Sequence, residues 1–375
     1  MRKKRNAQLF LILVLLSCIA CKNVNQDSLE DLNIYAMLQQ KEEVVSLDNY
    51  FDRIELIPLE TRSDILVSGI LWFEADSRFF YLSDNFNNLF IFDADSGRFH
   101  AKISMHGKGP GEFIEISDFS VSSDGKTVAI GDMSQHKILL FTTEGNFIKE
   151  FKTENNAMSL SFIDDSNLIF YSPSQLSRSK TPTLSFANIN SGKIYKIREF
   201  SSVSVLKSPY IMPCNFNKLN DHLLVKIPFI DTIYAVDHMN IYPKYNLTFS
   251  NKDIPTTVFE STEEYRNKAS VYIAWGGFWE SSDLFLFTVS HENKLKRGII
   301  NKTTGRARLV KSAKSQRPGF TNQLLDERLI WPDYQCNNVF YSYIDDLSLL
   351  SEHTRMKFKD KTINDNPIII KMIKN

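Results

Sequence analysis

The sequence predicts an all-β chain of repeated four-strand units, and three observations carry that expectation. The first is a strand-turn-strand pattern that occurs three times. Alternating apolar residues at 89–93, the turn Asp95-Ser96-Gly97 and a second strand at 98–103 form one copy. Residues 138–141, Glu144-Gly145-Asn146 and 147–151 form the next, and 184–186, Ser191-Gly192-Lys193 and 194–197 the third. Gly97 and Gly145 lie about 48 residues apart, a period at which short strands build propeller blades more often than other repeats. The second observation is turn chemistry, because glycine at the corner tolerates the positive φ of a tight hairpin. The third is a strand missing near the C-terminus, which an unassigned N-terminal strand would supply.

Taken in order, the elements make six units. Residues 54–59 alternate and end near Pro58, a residue suited to a sheet edge. Unit one takes 70–73, 79–82, 89–93 and 99–103, and unit two takes 118–121, 128–131, 137–141 and 147–151. Unit three uses 160–163, 168–171, 184–188 and 194–200. Unit four is weaker, at 215–219, 223–227, 232–236 and 245–249, with 237–240 standing where other units have a glycine turn. Residues 251–268 interrupt the pattern, and Ser261-Thr262-Glu263-Glu264 reads as a capping box opening a short helix. Unit five resumes at 271–278, 284–289, 297–301 and 307–311 around Thr304-Gly305. The last unit offers 329–332, 339–344, a helix-like run at 347–357 and a strand at 367–373, one strand short. Strand 51–59 completes it. The expected fold is therefore a six-bladed β-propeller over residues 47–375, closed by pairing of the N- and C-terminal strands, which removes open sheet edges.

Composition agrees with one large folded domain. The chain has 375 residues, 43% hydrophobic and 12% aromatic, with 14 glycines and 12 prolines, too apolar for disorder and long enough for a sizeable core. Its formal charge is +0, and loss of Arg2, Lys3, Lys4 and Arg5 with a cleaved leader would leave about −4, so nucleic acid is not expected as a partner.

Basic residues 2–5, an apolar run at 9–20 and then Cys21 have the layout of a secretory signal, too short for a transmembrane helix. Cys18 and Cys21 each follow a small residue, and the pattern resembles a bacterial lipobox, whose cysteine becomes an acylated first residue. Cys21 leaves the longer apolar run and an alanine before the cut. Cys18 has the better leucine three positions upstream and is the alternative. Residues 1–20 are then the signal peptide and residues 21–46 a tether. The mature protein would be lipid-anchored in the bacterial cell envelope, with the outer membrane the expected address. Several acyl chains, at about 0.8 kcal/mol per buried CH₂, hold a protein to a membrane stably. Cys214 and Cys336 fall in units four and six, which are not neighbours in a ring, so both are expected as free thiols.

Gly107-Lys108-Gly109-Pro110-Gly111-Glu112-Phe113 joins units one and two, Ile57-Pro58-Leu59-Glu60 closes the first strand, and Trp331-Pro332 and Asp365-Asn366-Pro367 lie near the end. In this combination and order the chain resembles the bacterial six-bladed β-propeller lipoproteins, relatives of the NHL and TolB-like propellers. The resemblance spans residues 50–375 and implies fold and export. It implies no activity, since one fold hosts many functions.

The chemistry-bearing residues favour binding over catalysis. The glycine connector lacks P-loop spacing and leads into a strand, so it reads as a corner where only glycine fits. His106 and Lys108 would project beside it onto one mouth of the channel. Trp275 and Trp279, in Trp275-Gly276-Gly277-Phe278-Trp279 on the inner strand of unit five, and Trp331 in the matching element of unit six, are aromatic platforms unless they pack between units, the commoner use of such rings. No metal is expected, because the seven histidines show no ligand spacing, and no cofactor motif is present. Asp76, Asp124 and Asp165 read as turn carboxylates. The leading expectation is a non-enzymatic propeller that binds a protein or glycan partner through one face. A propeller-type lyase or hydrolase is the alternative, and it requires His106, Asp132, Arg317 and Asp333 to converge at the channel.

The anchor assignment has a direct check. Fatty-acid labelling in the native host should mark the wild type and Cys18→Ala and be lost in Cys21→Ala; the reverse pattern would move the anchor to Cys18.

Overall fold

The computed structural model describes residues 29–173, 181–200, 212–219, 222–254, 263, 268–312, 317–325, 329–362 and 364–374. Cys18, Cys21 and the capping-box residues Ser261, Thr262 and Glu264 lie outside them. The fold is all-β, 49% strand and 7% helix.

Strand β1 (Glu30–Asn33), helix α1 (Ile34–Leu38) and β2 (Glu42–Glu43) precede β3 (Arg53–Pro58). The first unit is β4 (Trp72–Ala75), β5 (Phe79–Ser83), β6 (Leu89–Asp93) and β7 (Phe99–Ile103). The second is β8 (Asp118–Val121), β9 (Thr127–Asp132), β10 (Lys137–Thr142) and β11 (Phe147–Lys152). The third is β12 (Ser159–Phe162), β13 (Asn167–Ser172), β14 (Thr183–Asn188) and β15 (Ile194–Glu199). The fourth is β16 (Asn215–Leu219), β17 (His222–Lys226), β18 (Thr232–Asp237) and β19 (Asn240–Thr248). The fifth is β20 (Ile273–Glu280), β21 (Leu284–His291), β22 (Lys294–Asn301) and β23 (Ala307–Val310). The sixth is β24 (Tyr334–Cys336), β25 (Val339–Ile344) and β26 (Ile368–Ile373), with helix α2 (Glu352–Lys357) before its last strand. Within each unit successive strands pair antiparallel.

The sixth unit borrows its fourth strand from the other end of the chain. β26 pairs antiparallel with β3, from Ile368 opposite Pro58 to Ile373 opposite Arg53. Three motifs meet at this seam. Gly97, at φ +69°, puts its missing Cβ 2.2 Å from the Pro58 carbonyl oxygen, so only glycine fits that turn. Glu60 Oε2 accepts from the Phe99 amide at 2.9 Å. Buried Asn366 accepts from Val67 N at 2.8 Å and donates to the carbonyls of Glu60 and Ile65, each at 2.7 Å.

First strands lie side by side in the order β4, β8, β12, β16, β20, β24, and β24 touches β4 again. Apart from the single bridge between β16 and β24, their inner edges carry no ladder, and the preceding unit supplies side chains to those of β8, β12 and β20. Glu74 Oε2 accepts from Val121 N at 2.8 Å, Asp118 Oδ2 from Leu160 N at 2.8 Å, Ser120 Oγ from Phe162 N at 3.1 Å and Asn217 Oδ1 from Glu280 N at 3.2 Å. Buried backbone donors left unpaired would each cost about 1–3 kcal/mol, so these side chains are structural braces. Apolar faces fill the wedges between units: Phe113, Phe119, Val128 and Phe141 pack against Tyr81, Ile91 and Ile103 of the unit before.

Three expectations need correction. Residues 30–46, assigned above to a tether, are built into the fold. β1 pairs in parallel with β19 and β2 with β23, while Ile34, Val45 and Leu47 are buried. The physical reason is that the outer strands of units four and five would otherwise present open edges. Trp331 and Pro332 precede the first strand of unit six rather than forming it, since that strand is β24. Units four and six do touch, through one parallel bridge between Lys218 and Cys336 that joins them in a nine-stranded sheet. Cys214 and Cys336 are nevertheless free thiols; Cys214 lies four residues before Lys218 in extended chain, about 13 Å at strand rise, beyond disulfide reach.

Asn366→Ala should destabilise the protein by about 3 kcal/mol, because it strips partners from three backbone groups at the seam. Equilibrium urea unfolding measures this, and a change under 1 kcal/mol would show that the seam does not depend on that side chain.

Candidate functional site

A cavity of about 370 Å³ sits where the six first strands begin. Every unit contributes to it: Trp72, Phe73 and Glu74 from β4, Asp118 and Phe119 from β8, Leu160 from β12, Asn215 to Asn217 from β16, Gly276 to Trp279 from β20, and Tyr334 and Gln335 from β24. Asp333 and Tyr343 stand at its unit-six side. Aromatic rings therefore form much of the wall and carboxyl and amide groups the rest, a lining typical of ligand sites.

Local irregularity in β20 shapes one wall. Its register against β21 shifts between Trp275 and Gly277, and Gly277 has φ +152°. The bulge re-aims the strand, so Phe278 and Trp279 reach the cavity whereas Trp275 does not line it. Trp275 instead stacks on Phe287, with ring centroids 6.2 Å apart, in the core between units four and five. Trp331 is buried, stacks on Phe320 at 5.3 Å and meets Trp279 edge-on at 6.2 Å. It backs the wall without forming it.

The floor is ionisable. Asp118 accepts from the amides of Leu160 and Phe119, at 2.8 and 2.9 Å. Burial pushes its carboxyl up to about 8; those two amides and Lys218 oppose the rise and Glu74 adds to it. Burial also raises Glu74, against the pull of Lys218, whose Nζ lies 3.7 Å from Glu74 Oε1. Lys218 donates to Ser120 Oγ at 3.2 Å and to the Val121 carbonyl at 3.1 Å. Beyond this layer lies a second cavity of about 180 Å³, lined by Glu74, Lys218, Val121 and Cys336 among others. Glu74 thus borders both cavities, and Lys218 only the second.

The residues singled out from sequence do not share one place. Trp279 and Asp333 line the large cavity. Asp333 accepts from Ser342 Oγ at 2.6 Å and faces Arg297, which burial lowers to about 10. Arg317 is exposed and its charge also reaches Arg297. His106, Lys108 and Asp132 belong to the corner between units one and two. His106 is exposed, 3.3 Å from Asn88 Oδ1, and Lys108 is exposed beside it. Asp132 is buried and holds the corner, accepting from Ile114 N at 2.8 Å and from Gln135 Nε2 at 2.7 Å. The corner itself is braced by Glu112 on Gly109 N at 2.8 Å, Glu150 on Gly111 N at 3.0 Å and a buried Lys137–Glu150 pair at 2.9 Å. The set His106, Asp132, Arg317 and Asp333 does not converge on the cavity; only Asp333 lines it.

Sequence reasoning passed over Glu74, Asp118, Asn217 and Gln335. A signal was available for two of them: Glu74 in Trp72–Ala75 and Gln335 in Tyr334–Cys336 are each the one polar side chain of a short strand of apolar or aromatic neighbours. Among the described residues no group of three or more His, Cys, Asp or Glu is arranged to hold a metal.

The chain matches the family described as Domain of unknown function (DUF4934) over residues 30–372. It belongs to that family. No curated protein matches. A crystal structure of a Bacteroides fragilis NCTC 9343 protein to which export is ascribed is similar at a TM-score of 0.71 and 21% identity, covering 89% of this chain and 98% of that one. A member of the DUF4221 family from Bacteroides vulgatus is similar at 0.52 and 11%, covering 86% and 97%. These likenesses concern the fold, and the match starting at residue 30 agrees with β1 being part of it.

The Asp118 carboxyl makes stability depend on pH. Its folded value of about 8 exceeds the unfolded value of about 3.9, so its contribution is complete below about pH 4 and declines as pH rises toward 8. Melting temperature should fall from pH 6 to pH 9 in the wild type and fall less in Asp118→Asn. Parallel curves for the two proteins would place the titration elsewhere.

Proposed function

We propose that the chain closes as a six-bladed β-propeller, is exported and lipid-anchored at Cys21, and binds a protein or glycan partner, without catalysis, at the face where its first strands begin. The cyclic order of first strands and the β3–β26 pairing support closure. The leader and lipobox support envelope location, in keeping with the export ascribed to the Bacteroides fragilis relative.

One observation carries the binding reading: a cavity at the meeting point of all six units, walled in large part by aromatic rings. Its carboxylates are committed to bracing. Asp118 uses both oxygens, and Glu74 one, on backbone amides of neighbouring strands. Among the described residues that line the cavity there is also no histidine to pair with these carboxyls, which favours recognition over turnover. The insertion at 251–268 lies on the chain between units four and five, close in sequence to the Trp275–Trp279 strand.

Photo-cross-linking in cells tests the reading. A cross-linker at position 279 should capture one defined partner, one at exposed Lys152 on the outer strand β11 should not, and Trp279→Ala should weaken partner binding at least tenfold, as loss of a central aromatic anchor does. Turnover of a substrate with no stable binder would sink the proposal.

A further inference from the structure

The large cavity contains an imbalance that names its ligand chemistry. Its lining includes Glu74, Asp118 and Asp333 and, among the described residues, no lysine, arginine or histidine. Two of its amide side chains are already engaged with each other and with the backbone: Asn217 Nδ2 donates to Gln335 Oε1, Asn217 Oδ1 accepts from Glu280 N, and Gln335 Nε2 donates to the Asn337 carbonyl. A polyhydroxylated ligand needs such groups free. A cation on an apolar stem needs only ring faces and a carboxyl. Acidic groups alone would not make a site; here they lie in a cavity walled by aromatic rings.

We propose that this cavity receives a lysine or arginine side chain of a partner protein, its stem along Phe278, Trp279 and Tyr334 and its charge over Asp118. The inference rests on the binding reading above and deepens it. Around the cavity the other charges already have counter-charges. Lys218 pairs with Glu74, Arg297 faces Asp333, and the Cys214 thiol beside Asp118 is raised by burial. That leaves Asp118 balanced by a bound proton, since its carboxyl titrates at about 8. When an ammonium or guanidinium seats, the Asp118 O–H bond breaks, the proton passes to solvent, and the ligand takes its place as counter-charge.

Calorimetric titration of the folded domain tests this with the peptide Gly-Gly-Lys-Gly-Gly, its norleucine counterpart and free glucosamine. The lysine peptide should bind at least tenfold tighter than the norleucine peptide. Its affinity should rise from pH 6 to pH 8 by up to about tenfold per unit, with proton release seen as a dependence on buffer ionisation enthalpy. Asp118→Asn should abolish that release. Asp333→Asn, at an exposed position, should weaken binding threefold or more. Equal binding of lysine and norleucine peptides, failure of the lysine peptide to bind, or binding of glucosamine in its place overturns the proposal. A partner cross-linked at position 279 without any of this cation preference would defeat the present inference and leave the binding reading intact.

Discussion

The first strands of this protein turn inward an edge that has little or no ladder to cover it, and the fold depends on satisfying those edges. Six first strands meet at a hub, and those of units two, three and five present backbone donors to the unit before them. The preceding unit answers with a short polar side chain: Glu74, Asp118, Ser120 and Asn217 accept from Val121, Leu160, Phe162 and Glu280. These braces hold adjacent wedges in register where apolar packing alone is non-directional. They also explain why a hub built mainly of apolar strands contains carboxyls and amides.

The hub is not symmetric, and the asymmetry makes a cavity. β16 and β24, from units four and six, bridge at Lys218 and Cys336. Glu74, paired with Lys218, lines both the large cavity and the smaller one. β20, between β16 and β24 in the chain, carries a register shift between Trp275 and Gly277. Past that irregularity Trp279 lines the large cavity. Structure and recognition thus draw on the same few residues, and the carboxyl of Asp118 serves as both a brace and the floor of the site.

Much of the architecture was legible from periodicity. The strand positions of units one to three, the turn at Gly97 and the borrowed strand at 53–58 follow from alternation and turn chemistry, which are local. The N-terminal segment was not legible. Glu30 to Asn33 and Glu42-Glu43 are short and polar, and they become strands only because β19 and β23 offer edges in parallel. Trp331 was placed on the wrong element for a related reason: an apolar run before a proline reads as a strand, yet three-residue β24 lies just beyond it. Of the residues proposed for the site, Trp279 and Asp333 line the cavity, while Asp132 is absorbed by the corner between units one and two.

By itself the sequence determined the all-β class, the repeated four-strand unit, the glycine corners and the pairing of the two chain ends, because each depends on side-chain alternation or on φ at a single residue. Only the tertiary structure decided which polar side chains share the hub, that units four and six touch, and that a cavity lies beside the Glu74–Lys218 pair. Those outcomes depend on how strands far apart in the chain converge on one axis, and the spacing of residues along a sequence carries no record of that convergence.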